Sequence, residues 1–143
     1  MRVIQVPVGD MQANAFIVFK DSSKEAFVVD PGADIEKICA RLEYEGISEV
    51  THILLTHGHF DHIGAAAELK RRTGAKVCVH ARDLSMLTSS EDSLAVFAGA
   101  SIEPVEADIV LHGGETIIAA DIPVQVLHTP GHSGGSVCYL TGD

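Results

Sequence analysis

Val50 to Gly64 reads VTHILLTHGHFDHIG: a β-branched, mostly apolar run ending at Thr56 gives way at once to His57, Gly58, His59, Phe60, Asp61, His62 and Ile63. The run predicts a buried strand, and Ala65 to Arg72, closed by Gly74, predicts the helix behind it. Three histidines and an aspartate thus crowd into six residues between a strand and a helix. If the backbone is extended here, the alternate imidazoles of His57 and His59 converge on one cation, while Asp61 and His62 turn toward a neighbouring position as the helix starts. Four ligand-type side chains at this spacing suit one or two adjacent metals. Imidazole and carboxylate donors with no thiolate nearby fit zinc best, with manganese, iron or nickel also compatible. A third imidazole for the first ion is expected from His132, in the glycine-rich loop Thr129 to Gly135 (TPGHSGG). Its neighbour Ser133 either holds the backbone of that loop or is an ordinary turn residue.

Upstream, Val3 to Val8, Asn14 to Phe19 and Ala26 to Asp30 predict a meander of three short strands, the last ending in Pro31-Gly32. Ile35, Ile38, Cys39 and Leu42 then fall at helical spacing, with Asp34 placed to cap the start and Gly46 to end the helix in a left-handed conformation. Downstream come a strand from Ala75 to His80, a helical turn from Ala81 to Leu87, and a small, acidic stretch from Thr88 to Gly99 expected to be the most mobile. Ile109 to Leu111, Thr116 to Ala119, Val124 to His128 and Ser136 to Leu140 complete the strands. With no repeat or long linker, residues 1–143 form one α/β domain, with helices on outer faces and two sheets in the middle.

Composition narrows the function classes. Ten Lys and Arg against twenty Asp and Glu give a formal charge of −10, which disfavours a nucleic-acid partner. No apolar run reaches the roughly 18 to 20 residues needed to cross a bilayer, and Met1 to Asp10 lacks the character of a secretory signal; a cytoplasmic protein without a membrane partner is expected. Cys39, Cys78 and Cys138 lie far apart in apolar surroundings and read as reduced core thiols. His52, His80, His112 and His128 lack a second donor at ligand spacing and read as structural or surface residues. Gly131 to Gly135 matches the G-x-S-x-G pattern of a serine nucleophile elbow, but a strand follows it instead of a helix and no histidine comes later in the chain.

THGHFDHIG, with VVDPGAD upstream and LHTPGHSGGSVCYL downstream, strongly resembles the metallo-β-lactamase superfamily, and within it the short proteins similar to hydroxyacylglutathione hydrolase (glyoxalase II). The likeness implies an αββα sandwich with metals at one edge of the paired sheets. It makes His57, His59 and His132 ligands of a first metal and Asp61 and His62 ligands of a second, with Asp61 also orienting the nucleophile. Asp30, in VVDPG, matches a residue that supports the ligand loop without binding metal. The implied activity is metal-assisted hydrolysis of a small thioester or ester, in which a metal-bound hydroxide attacks the carbonyl.

The superfamily also carries a later aspartate bridging both metals and a still later histidine. Thr141-Gly142-Asp143 is tempting as the bridge, but five strand residues at about 3.3 Å each carry the chain roughly 16 Å from the site, so Asp143 is expected in a distant turn. The sequence therefore reads as a domain incomplete at its C-terminus, covering about the first two thirds of the superfamily domain. An iron-dependent persulfide dioxygenase and a non-catalytic, truncated metal-binding form are the alternatives. Lactonases resemble the motif almost as well, whereas true β-lactamases are disfavoured because many of them differ at the position of His62. A homo-oligomer stays open.

Overall fold

The computed structural model describes residues 1–142. Nine strands form, β1 Arg2–Val8, β2 Ala13–Phe19, β3 Glu25–Val29, β4 Glu49–Leu54, β5 Lys76–His80, β6 Ile109–Leu111, β7 Thr116–Ala119, β8 Ile122–His128 and β9 Val137–Thr141. Three helices, α1 Ile35–Tyr44, α2 Phe60–Ile63 and α3 Ala66–Thr73, and a 3-10 turn at Ala81–Leu87 lie between them. The first six strands make one sheet in chain order, antiparallel from β1 to β3 and parallel from β3 to β6. Strands β7, β8 and β9 make a separate antiparallel sheet. The expected meander, helices and last-third strands are all present within a residue or two of their expected ends.

Alternation along the central strands explains why two sheets stack. Val28, Ile53, Val77 and Val79 face α1 and α3, packing with Ile38, Leu42, Ala66 and Leu69. Their neighbours Phe27, Leu54 and Cys78 point the other way, onto Ala119, Ile122, Val124, Val126 and Val137 of the second sheet. Strands buried on both faces have to be apolar almost throughout, which is why FVV, ILL and VCV show no polar alternation. Each fully buried Leu or Ile stabilises the fold by about 1.5–3 kcal/mol.

The layers are helix, sheet and sheet. The outer face of the second sheet carries exposed Ile118, Leu127 and Leu140, and no helix covers it among the described residues, so three of the four expected layers are seen. Cys138 lies exposed on that same face, which corrects its reading as a core thiol: in β9 the inward positions are Val137 and Tyr139, and an apolar residue on the outward face cannot be told from an inward one by type. Cys39 is half-buried and Cys78 buried, where burial pushes the thiol up to about 12. Asp34 does not cap α1; it is left-handed, at φ 55°, and its Oδ2 accepts the Gly9 amide at 2.8 Å. Gly46 has the expected positive φ. The stretch from Thr88 to Gly99 is folded into turns around buried Ser93 and Ala95, and the Ser93 carbonyl accepts the Phe60 amide at the start of α2. Asp143 lies outside the described residues.

Candidate metal centre

Parallel strands β3, β4 and β5 end at one edge, and the chemistry collects there. Asp30 follows β3, His57 follows β4 after Leu55 and Thr56, and the 3-10 turn follows β5. The second sheet reaches the same edge through the loop between β8 and β9, which the Thr129 amide closes onto the Ser136 carbonyl. Val137 donates to the Thr56 carbonyl at 2.8 Å and the Tyr139 hydroxyl to the Leu55 carbonyl at 2.5 Å. These two bonds fasten the loop of His132 beside the strand that leads into His57.

His57 is 8 % exposed. Its Nδ1 lies 3.0 Å from Thr56 Oγ1, and that hydroxyl donates its proton to Asp30 Oδ2 at 2.5 Å. The hydroxyl therefore faces His57 as an acceptor, Nδ1 carries the hydrogen, and Nε2 keeps a lone pair. Nε2 is buried with no hydrogen-bond partner. Burial, then the neighbouring His62, drive this imidazole's pKa down to about 4, so it is neutral at ordinary pH, as a metal ligand must be.

His59 has the extended backbone that the alternate-ligand geometry requires, at φ −67° and ψ 148°. Its Nδ1 sits 3.0 Å from His132 Nε2, although 73 residues separate the two in the chain. Burial, followed by the proximity of His132, lowers its pKa. Ring centroids of His57, His59 and His132 are 4.9, 4.8 and 4.6 Å apart, and one ligand atom from each falls within 4.8 Å of the others. An orphaned buried nitrogen beside two imidazole nitrogens aimed at each other fits a cation with nitrogen ligands.

The second expected pair is less convergent. His62 Nε2 lies 3.5 Å from Asp61 Oδ2, yet Asp61 belongs to neither group of converging donors among the described residues. Asp30 does fall within 4.8 Å of ligand atoms on His57 and His62. Its oxygens are already engaged: Oδ1 accepts the Thr56 amide at 2.8 Å, and Oδ2 accepts the Thr56 hydroxyl and His62 Nδ1, the latter at 2.9 Å. This is the supporting geometry expected of Asp30, since it fixes the His62 tautomer and leaves Nε2 facing the site. Burial lowers the His62 pKa, but the hydrogen bond to Asp30 and the charges of Asp30 and Asp61 outweigh it, and the net shift is upward.

Two of the other histidines, His80 and His128, are engaged within the protein. His80 accepts the Arg82 amide on Nδ1 and places Nε2 3.2 Å from the His112 carbonyl, so both ring nitrogens are engaged. His128 stacks on His80 with centroids 4.1 Å apart and bonds the Gly134 carbonyl through Nε2. Ser133 is buried and its hydroxyl faces Asp83 and Ser136 with no imidazole on it, which removes the nucleophile-elbow reading and resolves Ser133 as a loop-holding residue. Neither Thr56 nor Asp83 is singled out by motif or spacing. A cavity of about 550 Å³, lined in part by Val8, Met11, Phe60, Asp61 and Ala98, opens beside α2.

Among known proteins, the chain is 33 % identical over its whole length to the probable metallo-hydrolase YqgX of Bacillus subtilis, covering 67 % of that protein. It is 29 % identical to hydroxyacylglutathione hydrolase GloC of Haemophilus influenzae, with 98 % of this chain and 66 % of the relative covered. Among solved structures, the BLEG-1 B3 metallo-β-lactamase superposes with a TM-score of 0.90 at 34 % identity, covering 98 % of this chain and 67 % of that one. A di-iron-bound form of TTHA1623 superposes with a TM-score of 0.81 at 35 % identity, over 96 % of this chain and 66 % of that one. The chain thus spans about two thirds of the length of these relatives, and its fold is shared with a β-lactamase. The family model for the metallo-beta-lactamase superfamily matches residues 8–143, and the chain belongs to that superfamily.

Proposed function

We propose that this chain carries the metal-binding centre of a hydrolase acting on small thioesters or esters. The observation that carries the reading is the tripod of His57, His59 and His132, whose buried His57 Nε2 has no partner within the protein. A zinc or iron ion held there would supply an activated water near neutral pH and polarise a carbonyl. The residues themselves do the positioning. Thr56 and Asp30 keep the His57 and His62 lone pairs aimed inward, and Asp61 offers a carboxylate beside His62 to orient the attacking group and to hold a second ion. The cavity beside Asp61 is within the range of about 300–1,000 Å³ that small-molecule sites occupy, and it gives an acyl group a place next to that carboxylate. The likeness to GloC supports a thioester, and the likeness to BLEG-1 makes a β-lactam the natural comparison substrate.

The test is zinc titration against a chromophoric chelator, followed by assays of thiol release from a hydroxyacylglutathione and of ring opening of a chromogenic β-lactam. One tight equivalent of zinc, lost in His57→Ala and His132→Ala, with thioester cleavage exceeding β-lactam cleavage, is the expected result. Absence of tight zinc and iron binding would sink the reading. Oxygen consumption by an iron-loaded chain with a persulfide substrate would move it to a dioxygenase.

A further inference from the structure

Asp83 is fully buried in the 3-10 turn after β5, and all its partners lie on the two ligand-bearing loops. Its Oδ2 accepts the Gly58 amide at 3.0 Å, between His57 and His59. The same oxygen accepts the Ser133 hydroxyl at 2.6 Å, next to His132, and Oδ1 accepts the Gly135 amide at 2.8 Å. Ser136 completes the arrangement, its hydroxyl accepting the Ser133 amide at 3.0 Å and lying 2.8 Å from the Ser133 hydroxyl. One carboxylate therefore bridges a loop of the first sheet to a loop of the second.

Two glycines allow this approach. A Cβ on Gly135 would lie 2.6 Å from Asp83 Oδ1, and one on Gly58 would lie 2.6 Å from Met86 Cβ in the same turn. Both loops are pressed against residues 81–87, and at Gly58 and Gly135 the approach leaves no room for a side chain. The three donors on Asp83 are neutral, and a buried carboxylate held only by neutral donors leaves a negative charge near the imidazoles, where a bound cation would be favoured.

We propose that Asp83 is a positioning residue that sets the separation between the His57/His59 loop and the His132 loop, and through it the metal affinity of the tripod. The proposal rests on the metal-binding reading given above. A tripod formed from two loops so far apart in the chain tightens or loosens with their spacing, and groups that orient ligands typically contribute about 10–100-fold in metal affinity.

Asp83→Asn keeps the shape but removes the charge and turns an amide group toward donors. Ser133→Ala removes one of the three donors and leaves the carboxylate. Zinc affinity by chelator competition, the visible spectrum of the cobalt-substituted protein and urea unfolding of the metal-free protein are measured for each. In Asp83→Asn the zinc dissociation constant is expected to rise roughly 10–100-fold, with an altered cobalt spectrum. Ser133→Ala is expected to show a smaller rise in the same direction, and it carries the test if Asp83→Asn does not fold. Variants that are less stable without metal yet keep wild-type zinc affinity and cobalt spectrum would overturn the proposal while leaving the metal site standing. A wild-type chain that binds no zinc or cobalt would overturn both.

Discussion

His57 and His62 sit side by side, with ring centroids 4.1 Å apart, and their surroundings push them in opposite directions. Burial, then the neighbouring His62, depress the His57 pKa from about 6.5 to about 4, so the unfolded chain takes up a proton that the folded one refuses. Its contribution to stability is present above about pH 6.5 and is lost as pH falls toward 4. His59 is lowered as well and acts with the same sign. For His62, burial acts downward, but Asp30 and Asp61 raise the pKa overall; its contribution is full below about 6.5 and is lost as pH rises through the higher folded value. The metal-free protein is therefore expected to be most stable between these two windows, near pH 6 to 7. Urea midpoints measured from pH 4.5 to 8.5 check this. His57→Gln should flatten the acid side relative to wild type, and His62→Gln chiefly the alkaline side, with a smaller easing of the acid side because His62 helps to depress His57; a swap of those effects would refute the assignment.

At the scale of elements, α2 is packed closely against the loop between β3 and α1. Ala65 donates to the Pro31 carbonyl at 2.9 Å, and Gly32 and Gly64 face each other's loops. A Cβ on Gly32 would fall within the van der Waals shell of the Asp61 carbonyl, and one on Gly64 against the Gly32 carbonyl. Gly32→Ala is expected to cost about 1–3 kcal/mol or more, because backbone on both sides has to shift, and to weaken zinc binding by displacing Asp61 and His62. Gly134→Ala, whose new methyl would meet Arg82 carbons at an ordinary 3.7 Å, is the matched control and should stay within about 0.5 kcal/mol of wild type. Urea midpoints and chelator competition on the two proteins decide it. The elements themselves are readable from the chain because the period changes from two to nearly four at Asp34 and again at Phe60. What reads poorly is side-chain destination: Asp34 has the right type to cap α1, but its carboxylate reaches Gly9, 25 residues away.

Across the whole molecule, the tripod is legible because His57 and His59 share one motif and His132 lies in a loop rich in glycine. Asp83 is not legible, since its donors at Gly58, Ser133 and Gly135 lie 25, 50 and 52 residues away and one acid in a helical turn carries no pattern. A cation held by the tripod would likewise join residues far apart in the chain and fasten one layer to the other. His57 and His59 extend from the first sheet, His132 from the second, and without a cation the sheets are joined by the apolar core around Leu54 and Val126 and by a few bonds such as Tyr139 to Leu55. Zinc at about 100 times its dissociation constant should then add about 2.7 kcal/mol to unfolding stability. His132 is exposed in its loop, so His132→Ala should leave the metal-free protein within about 0.5 kcal/mol of wild type and abolish most of the gain from zinc. Urea unfolding with and without zinc measures both quantities on the same samples. A gain that survives in His132→Ala would place the ion on His57, His59 and His62 alone, and the second sheet would take no part in holding it.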